Sequence, residues 1–293
     1  MKITPFYFFD KFIDWSFKLN GLELCQTSLG DYSMEYWISK SDKPVVVLLH
    51  AFGPNGKYSW RKQVSVLSKK YKILIPNLLY FGNSTKKNNS YTINEQIIAL
   101  KTLLKYLEIN DFFLGGTSYG GAIAFELLLD NSVKIKKIFI TNSPVKYIVN
   151  DGWKKIINDF KVKKKSDVLI PDDHFKLKKL YDLTNYKKKY FPTFVFKSIF
   201  KTIYTYKTNE RKQLIDNFEK DQKILKNRIY KTTTPILLIW GEKDQLTPLE
   251  TAIKLKAHLG NQTQLEIIQN SGHVPHIEKT KVFNKILIDF LSS

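Results

Sequence analysis

A serine stands between two glycines at Gly116, Ser118 and Gly120, in the pattern G-x-S-x-G. A strand-like apolar run precedes the pattern and a helix-forming run follows it, which is the context that places a nucleophilic serine on a sharp turn. The glycines avoid the side-chain collisions that such a turn creates. The hydroxyl then projects at a helix N-terminus, where backbone N–H groups favour a developing negative charge. The pattern therefore predicts a nucleophile at Ser118.

A serine hydroxyl becomes a good nucleophile when a base takes its proton and an acid orients that base. His273 and Asp244 are the candidates, because each follows a strand-like run late in the sequence. Loops at the ends of strands can aim such side chains into one site. Glu242 is an alternative acid, but Asp244 stands in the better-matching Gly-x-x-Asp position. We predict that Ser118, Asp244 and His273 form a catalytic triad.

Three other histidines receive structural interpretations. His258 and His276 are assigned to the surface or to helices, and His50 to hydrogen bonds that organise the adjacent loop. The backbone N–H groups of Phe52 in that loop and of Tyr119 after the serine are predicted to form an oxyanion hole. Each donor of such a hole contributes on the order of 10²–10³ in rate.

Length and composition describe a globular chain with its own core. The chain has 293 residues, of which 43% are hydrophobic, and a domain of this size buries about 75% of the surface that its unfolded chain exposes. Cys25 is the single cysteine, which excludes an internal disulfide, and no Cys/His spacing indicates a zinc site. The predicted triad chemistry needs no cofactor or metal. A secreted, disulfide-stapled class of protein is therefore excluded.

The N-terminal segment is rich in aromatic residues, but charges interrupt it before any apolar run reaches signal-peptide length. No segment approaches the roughly 18 uncharged apolar residues of a spanning helix, so we expect a cytoplasmic protein. Residues 6–17 carry apolar side chains near helical spacing. They predict either a helix docked on the protein's own body, which we favour, or an amphipathic helix in a membrane interface.

Short apolar runs alternate with helical stretches on both sides of a different central region. Strands are predicted at 45–49, 73–75, 112–114, 138–140, 236–240 and 265–268, and helices at 92–107, 249–258 and 281–291. The first of these helices opens with a capping box at Thr92 and Glu95. The alternation predicts an α/β fold with a mainly parallel central sheet flanked by helices.

The alternation breaks after residue 144 and returns near residue 232. We therefore predict a discontinuous core, residues 1–144 and 232–293, with a mainly helical insertion at 145–231. The insertion holds 23 Lys and Arg against 10 Asp and Glu, so it carries +13 of the chain's net charge of +20. No nucleic-acid-binding motif accompanies this charge, and a nucleic-acid partner is not predicted. Two interpretations stay open: peripheral contact with an anionic membrane through the insertion or the N-terminal helix, or a lysine bias in composition.

The chain resembles the α/β-hydrolase superfamily over residues 45–143 and 235–290. The resemblance rests on the G-x-S-x-G context, on the order serine, aspartate, histidine along the chain, and on the loop at 75–84. That loop is similar to the P-D-L-x-G-x-G-x-S loop in the form found in monoacylglycerol-lipase-like and related esterase branches. The resemblance implies an α/β-hydrolase fold in which the insertion is a lid over the site.

Two positions depart from the family pattern. Ala51 replaces the glycine of the usual His-Gly pair, so a methyl group enters a crowded turn near the oxyanion hole. Asn77 replaces the aspartate of the usual Pro-Asp pair, which we expect to weaken a structural contact without touching the triad.

The resemblance implies hydrolysis of a small-molecule carboxylic ester through an acyl-enzyme on Ser118. The fold itself does not fix the substrate, because the same triad serves several reactions. One alternative is hydrolysis of a carbon–carbon bond in a dienoic keto acid, whose negative charge favours Arg or Lys inside the pocket. The other is a receptor that binds a small molecule with little turnover, which kinetics would distinguish.

Overall fold

The computed structural model describes residues 5–130, 132–145, 150–225 and 227–293. The predicted core and insertion also include residues 1–4, 131, 146–149 and 226, which lie outside the described residues. Within the described part of the chain, nine strands form one sheet in the order β1-β2-β4-β3-β6-β7-β8-β9, and β5 pairs with β2. The strands are β1 (Leu22–Leu29), β2 (Tyr32–Ser39), β3 (Val45–Leu49), β4 (Lys72–Pro76), β5 (Thr85–Lys86), β6 (Asp111–Thr117), β7 (Lys134–Thr141), β8 (Ile236–Gly241) and β9 (Thr263–Ile268).

The strands from β3 onward, apart from β5, pair in parallel, whereas β1 and β2 are antiparallel. β3 and β8 are almost wholly buried, as expected for parallel strands covered on both faces. The predicted α/β fold with a mainly parallel sheet is confirmed. Because the carboxyl ends of parallel strands meet at one edge, the loops after β6, β7, β8 and β9 gather at the same end of the sheet.

Helices cover both faces of this sheet. α4, α5 and α11 contribute to the apolar cluster on one face, and α1, α3 and α13 to the cluster on the other. No helix in the described ranges is both long and apolar enough to cross a bilayer. The helices are α1 (Pro5–Leu19), α2 (Gly56–Trp60), α3 (Val64–Leu67), α4 (Ile93–Tyr106), α5 (Tyr119–Leu128), α6 (Asn150–Phe160), α7 (Lys165–Leu169), α8 (His174–Thr184), α9 (Thr193–Ile199), α10 (Thr208–Leu225), α11 (Leu249–Leu259), α12 (Pro275–Glu278) and α13 (Thr280–Ser292).

The chain between β7 and β8 is mainly helical. It forms α6 to α10, with a π-helical turn at Phe200–Tyr204 between α9 and α10. Toward the end of this segment Tyr230 is already packed in the main core, where its ring lies 5.6 Å from that of Phe125. The division of the chain into a core and an insertion at 145–231 stays a prediction.

The hairpin β1–β2 was not predicted from the sequence. Its register pairs Leu29 with Tyr32 across the two-residue turn formed by Gly30 and Asp31. Gly30 has a φ of +67°, a conformation that two-residue hairpin turns require and that glycine adopts without strain. A Gly-Asp pair between two strand-like runs is the signal that would have revealed this hairpin.

Helix α1 docks on the protein through one face. Phe6, Ile13 and Phe17 are buried, and the Phe17 ring lies edge-on to Trp37 with the ring centroids 5.1 Å apart. The favoured interpretation, docking on the protein's own body, therefore describes this face. The opposite side leaves large apolar residues exposed, namely Phe8, Phe9, Phe12, Trp15 and Leu19.

Phe17→Ala should lower the free energy of unfolding by about 3–5 kcal/mol, because it removes a fully buried ring. The matched control is Phe12→Ala on the exposed side of the same helix, which should change that free energy by less than about 0.5 kcal/mol. Urea denaturation followed by circular dichroism measures both. Equal losses for the two variants would contradict the docking described here.

Candidate active site

Ser118 lies at the junction of β6 and α5, with φ of +51° and ψ of −118°. Such a conformation strains the backbone of a serine, and it persists only where neighbouring groups hold it. Here the Ser118 N–H donates to the Thr141 carbonyl at 2.9 Å, and the Ser143 hydroxyl donates to the Ser118 carbonyl at 2.7 Å. The turn directs the Ser118 side chain away from the end of β6 and toward the loops that follow β7, β8 and β9.

The flanking glycines are required by space. A Cβ on Gly116 would lie 2.5 Å from the Gly120 carbonyl oxygen, and one on Gly120 would lie 2.5 Å from the His50 carbonyl oxygen. Both contacts are with backbone atoms, which cannot move aside as a flexible side chain could. The steric role that the sequence pattern predicted for Gly116 and Gly120 therefore matches the geometry.

Ser118, His273 and Asp244 form a continuous hydrogen-bonded series. His273 Nε2 lies 3.0 Å from Ser118 Oγ, and His273 Nδ1 lies 2.8 Å from Asp244 Oδ2. The carboxylate of Asp244 can only accept, so the proton of a neutral His273 is on Nδ1 and leaves Nε2 to accept from the serine. The structure thus brings together the three residues that the sequence predicted, in the geometry of a nucleophile, a base and an orienting acid.

Asp244 is buried and saturated with donors. Its Oδ1 accepts from the Leu246 and Thr247 N–H groups at 2.8 and 3.1 Å, and its Oδ2 also accepts from the Asn142 amide and the Thr247 hydroxyl. Burial by itself raises the pKa of Asp244, but the charge of His273 and the hydrogen bonds from His273, Asn142 and Thr247 outweigh it, so the pKa lies below its ordinary value. Asp244 is therefore held as a carboxylate beside the imidazole.

Asn142 and Thr247 were missed by the sequence analysis. Asn142 follows the last residue of β7 with φ of +46°, and its Oδ1 accepts from the Gly241 N–H at 3.2 Å, which ties the ends of β7 and β8 together. A polar residue directly after a buried strand that neighbours the nucleophile strand is the signal for such a position. Thr247 lies three residues after Asp244, at the spacing of a side-chain turn, and its hydroxyl also lies 3.4 Å from His273 Nδ1.

The loop that carries His273 is held from two sides. The His273 N–H donates to the Thr184 carbonyl, at the end of α8, at 2.8 Å. Glu278 accepts from the Gly272 N–H at 2.6 Å and from the Lys187 N–H at 3.0 Å. Backbone groups of the segment between β7 and β8 therefore contribute directly to the position of the candidate base.

The competing residues have other partners. Glu242 accepts from the Asn270 N–H and pairs with Lys243, and it makes no contact with His273. His258 lies in α11, where its Nε2 accepts from the Tyr230 N–H. His276 lies in α12, which agrees with the helix alternative, and it is buried there; burial lowers its pKa to about 3.

His50 organises its loop as predicted. Its Nδ1 lies 2.8 Å from the Ala51 carbonyl and its Nε2 accepts from the Leu78 N–H at 3.0 Å. Burial lowers the pKa of His50 to about 4, so the ring is neutral near neutral pH. It therefore joins the loop after β3 to the loop after β4.

The same loop carries Phe52, and its ring packs edge-on to that of Tyr119 at 4.8 Å. Within the described residues, neither the Phe52 nor the Tyr119 N–H donates to a protein acceptor, as an oxyanion hole requires. Buried Arg211 of α10 donates to the next carbonyl of the loop, that of Gly53, at 3.4 Å, and to the Ile203 carbonyl at 2.9 Å. The assignment of the oxyanion hole to these two N–H groups stays a prediction.

The expected weakening at Asn77 is corrected by the structure. Asn77 Oδ1 accepts from the Gly56 N–H at 2.9 Å, and its amide nitrogen donates to Glu35. An aspartate here would face the Glu35 carboxylate with a like charge, whereas asparagine supplies the donor that this neighbour needs. The contact was misjudged because the sequence does not reveal that Glu35 lies on the other side.

A cavity of about 60 Å³ opens beside Ser118 and His273. Its lining is mainly apolar, and the one lysine among the described lining residues, Lys165, pairs with Glu219 at 2.7 Å. A larger open groove of about 1440 Å³ lies near the start of β7 and does not include this site. The apolar residues around the small cavity are Phe52, Tyr119, Pro144, Trp153, Leu169, Ile215, Phe218 and Leu246, of which four lie on α6, α7 and α10.

Comparisons with known proteins identify the family and the fold. The family described as alpha/beta hydrolase fold matches residues 44–280. Lipase 3 of Moraxella sp. (strain TA144) is 29% identical over 247 residues, which cover 80% of this chain and 73% of that protein. Monoacylglycerol lipase abhd6-B of Xenopus laevis is 26% identical over 287 residues, which cover 93% of this chain and 83% of that protein.

Two solved structures share the fold at low sequence identity. A candidate lipase from Acinetobacter baumannii AYE has a TM-score of 0.83 at 18% identity, covering 99% of this chain and 96% of that chain. The 2-hydroxy-6-oxo-6-phenylhexa-2,4-dienoate hydrolase of Rhodococcus sp. strain RHA1 has a TM-score of 0.80 at 18% identity, covering 93% of this chain and 100% of that chain. With the family match extending over most of the sequence, the protein belongs to the α/β-hydrolase family of hydrolases.

Proposed function

We propose that this protein hydrolyses carboxylic esters of small, mainly apolar molecules, with Ser118 as nucleophile, His273 as base and Asp244 as orienting acid. The observation that carries the proposal is the hydrogen-bonded series from Ser118 through His273 to Asp244, which ends beside an apolar cavity. The names of its relatives, a lipase and a monoacylglycerol lipase, support the same reaction class.

In the proposed mechanism, His273 Nε2 takes the proton of Ser118 as Oγ attacks the ester carbonyl carbon. The resulting oxyanion accepts hydrogen bonds from the Phe52 and Tyr119 N–H groups, while Asp244 stabilises the imidazolium. His273 then returns its proton to the departing alcohol, which leaves an acyl group on Ser118. A water molecule, deprotonated by His273 in turn, attacks this acyl-enzyme and releases the carboxylic acid, and Ser118 recovers its proton.

The substrate's apolar part is the feature that the cavity lining supports. Trp153, Leu169, Ile215 and Phe218 come from α6, α7 and α10, so these helices would cover a bound acyl or alkyl group. We propose that the segment 145–231 acts in this way as the lid. Excluding water from the site strengthens the electrostatic stabilisation of the oxyanion.

Carbon–carbon bond hydrolysis of a dienoic keto acid is the competing reaction, and it is the reaction named for the neighbour from Rhodococcus. Such a substrate carries a carboxylate that needs a cationic partner. Lys165 is the described lysine at the cavity, and its charge is already matched by Glu219. This pairing favours a neutral ester over an anionic keto acid.

Ser118→Ala should lower kcat for p-nitrophenyl butyrate by at least about 10⁴-fold, because it removes the attacking oxygen. A fluorophosphonate probe should label the unchanged protein and should not label the variant. Before it is labelled, the unchanged protein should complete multiple turnovers of the ester. Ser28→Ala, at an exposed serine of β1, is the matched control and should keep full activity and labelling. An unchanged ester hydrolysis rate in Ser118→Ala would contradict the assignment of Ser118 as the nucleophile.

Asp244→Asn and Glu242→Gln separate the two candidate acids. Loss of the Asp244 charge should lower kcat by about 10⁴-fold, because the imidazole loses both its orientation and the partner of its positive charge. Glu242 has no contact with His273, so Glu242→Gln should change kcat by less than about twofold. Steady-state kinetics on one ester suffices, and a reversed order of the two effects would reassign the acid to Glu242.

Asn142→Gly should test the support of Asp244 without introducing strain, since glycine tolerates the positive φ at this position. The lost donor should raise the pKa of Asp244 toward its ordinary 3.8 and lower kcat by about 10- to 100-fold through misplacement of the imidazole. A carboxyl group with a depressed pKa stabilises the fold above its unfolded-state pKa and loses this contribution as the pH falls. Acid unfolding followed by circular dichroism should therefore begin at a higher pH in the variant, and an unshifted acid transition with full activity would count against this role.

A further inference from the structure

Helix α1 has a second apolar face that points away from the protein. Phe8, Phe12, Trp15 and Leu19 follow each other at spacings of four, three and four residues, so they form one stripe along the helix. Their exposed fractions are 64%, 60%, 56% and 65%. Apolar residues exposed singly are ordinary, but four large ones in a continuous stripe mark an interaction surface.

The charges of α1 are segregated around this stripe. Its two acidic residues, Asp10 and Asp14, are turned inward and pair with Lys57 of α2 at 2.6 and 2.7 Å. Lys11 and Lys18 are exposed and lie next to the stripe on the helix surface, and Lys11 Nζ is 3.8 Å from Asp14 Oδ2. The outward side of the helix is therefore apolar and basic, while both of its carboxylates face the single charge of Lys57.

Exposed aromatic and lysine residues also occur in and just before α9. α1 packs against α9, and the exposed residues in and just before α9 include Tyr190 and Phe194, which are 88% and 56% exposed. Lys187, Lys188, Lys189 and Lys197 are exposed in the same stretch and have no ion pair within the described residues. Exposed aromatic side chains and lysines therefore occur both on α1 and in and just before the helix that packs against it.

We propose that the outward face of α1, together with the adjoining residues 187–197, docks the protein on the surface of an anionic lipid bilayer. Aromatic and leucine side chains gain free energy by entering the boundary between headgroups and acyl chains, and exposed lysines gain from a negatively charged leaflet. A second copy of this chain is the less suitable occupant, because each copy carries a net charge of +20 and would bring the same lysines face to face. The proposal concerns binding alone and does not depend on the proposed ester hydrolysis.

Trp15 makes the docking directly measurable. The sequence has five tryptophans, and the other four, Trp37, Trp60, Trp153 and Trp240, are at most 9% exposed. A change in the environment of a solvent-exposed indole therefore reports on Trp15. With vesicles of phosphatidylcholine containing about 30% phosphatidylglycerol, Trp15 emission should shift to shorter wavelength and should be quenched when the acyl chains are brominated. Vesicles of phosphatidylcholine alone, or about 0.5 M NaCl, should weaken the binding by at least about tenfold.

A triple variant tests which face binds while keeping the reporter. Phe8→Gln, Phe12→Gln and Leu19→Gln together remove most of the stripe but retain Trp15 and a good helix former at each position. Vesicle partitioning should fall by at least about tenfold, since three apolar groups no longer enter the interface. The matched control replaces three apolar residues exposed on other helices, Tyr106→Gln, Ile253→Gln and Val282→Gln, and should bind as the unchanged protein does. Both variants should hydrolyse a water-soluble ester at rates within about twofold of the unchanged protein, because these positions lie away from the site.

Three results would overturn the proposal. The first is Trp15 emission that anionic vesicles neither shift nor quench. The second is equal loss of binding in the stripe variant and in its matched control. The third is concentration-dependent self-association in sedimentation velocity that buries Trp15, disappears in the stripe variant and occurs without vesicle binding, which would assign the face to a second copy of the chain.

Discussion

The backbone turn at Ser118 is the constraint on which the rest of the site depends. At this turn the end of β6 lies against the start of α5, so Gly116 has no room for a Cβ, and the start of α5 lies against the end of β3, so Gly120 has none either. The strain, of order 1–3 kcal/mol for such a conformation, is balanced by hydrogen bonds to the Ser118 backbone from the end of β7 and just beyond it. The neighbouring strand therefore fixes the position of Ser118 as much as the strand that carries it does.

The order of the parallel strands determines which side chains lie close together at the end of the sheet next to Ser118. The ends of β7, β8 and β9 lie progressively farther from Ser118, and each contributes a side chain to the next: Asn142 to Asp244, and Asp244 to His273. The order of these residues along the chain follows the order of the strands. The hydrogen-bonded series therefore crosses the edge of the sheet from one loop to the next, and Thr247 adds a second group from the loop after β8.

Much of this could be predicted from the sequence, because the responsible signals are local. The alternation of apolar runs predicts the parallel strands. Of the predicted capping box of α4, the Thr92 half is present, with the Thr92 side chain accepting from the Glu95 N–H, while the Glu95 carboxylate accepts from Tyr32. The glycines of the elbow predict its turn. Ser118, Asp244 and His273 were found because motif and strand context coincide at each of them.

The missed features depend on contacts between residues distant in sequence. The role of Asn142 becomes visible only when Asp244, 102 residues later, is placed beside it. Asn77 was misjudged because its partner Glu35 comes from an unpredicted strand of the hairpin. The burial of His276 likewise follows from its packing against the ring of Trp60, which no local pattern indicates. A sequence pattern predicts the chemistry that a residue can perform, whereas the topology of the fold determines which residues contact it.

The bond from the His273 N–H to the Thr184 carbonyl has a consequence for how the site can open. This bond joins the carboxyl end of α8 to the loop of the proposed base, so a displacement of that end would either break the bond or move the imidazole relative to Ser118. A motion that admits a bulky molecule and leaves His273 in hydrogen-bonding distance of Ser118 must therefore leave the end of α8 in place. If the segment 145–231 is the lid proposed above, α6, α7 and α10 would have to move without displacing the end of α8.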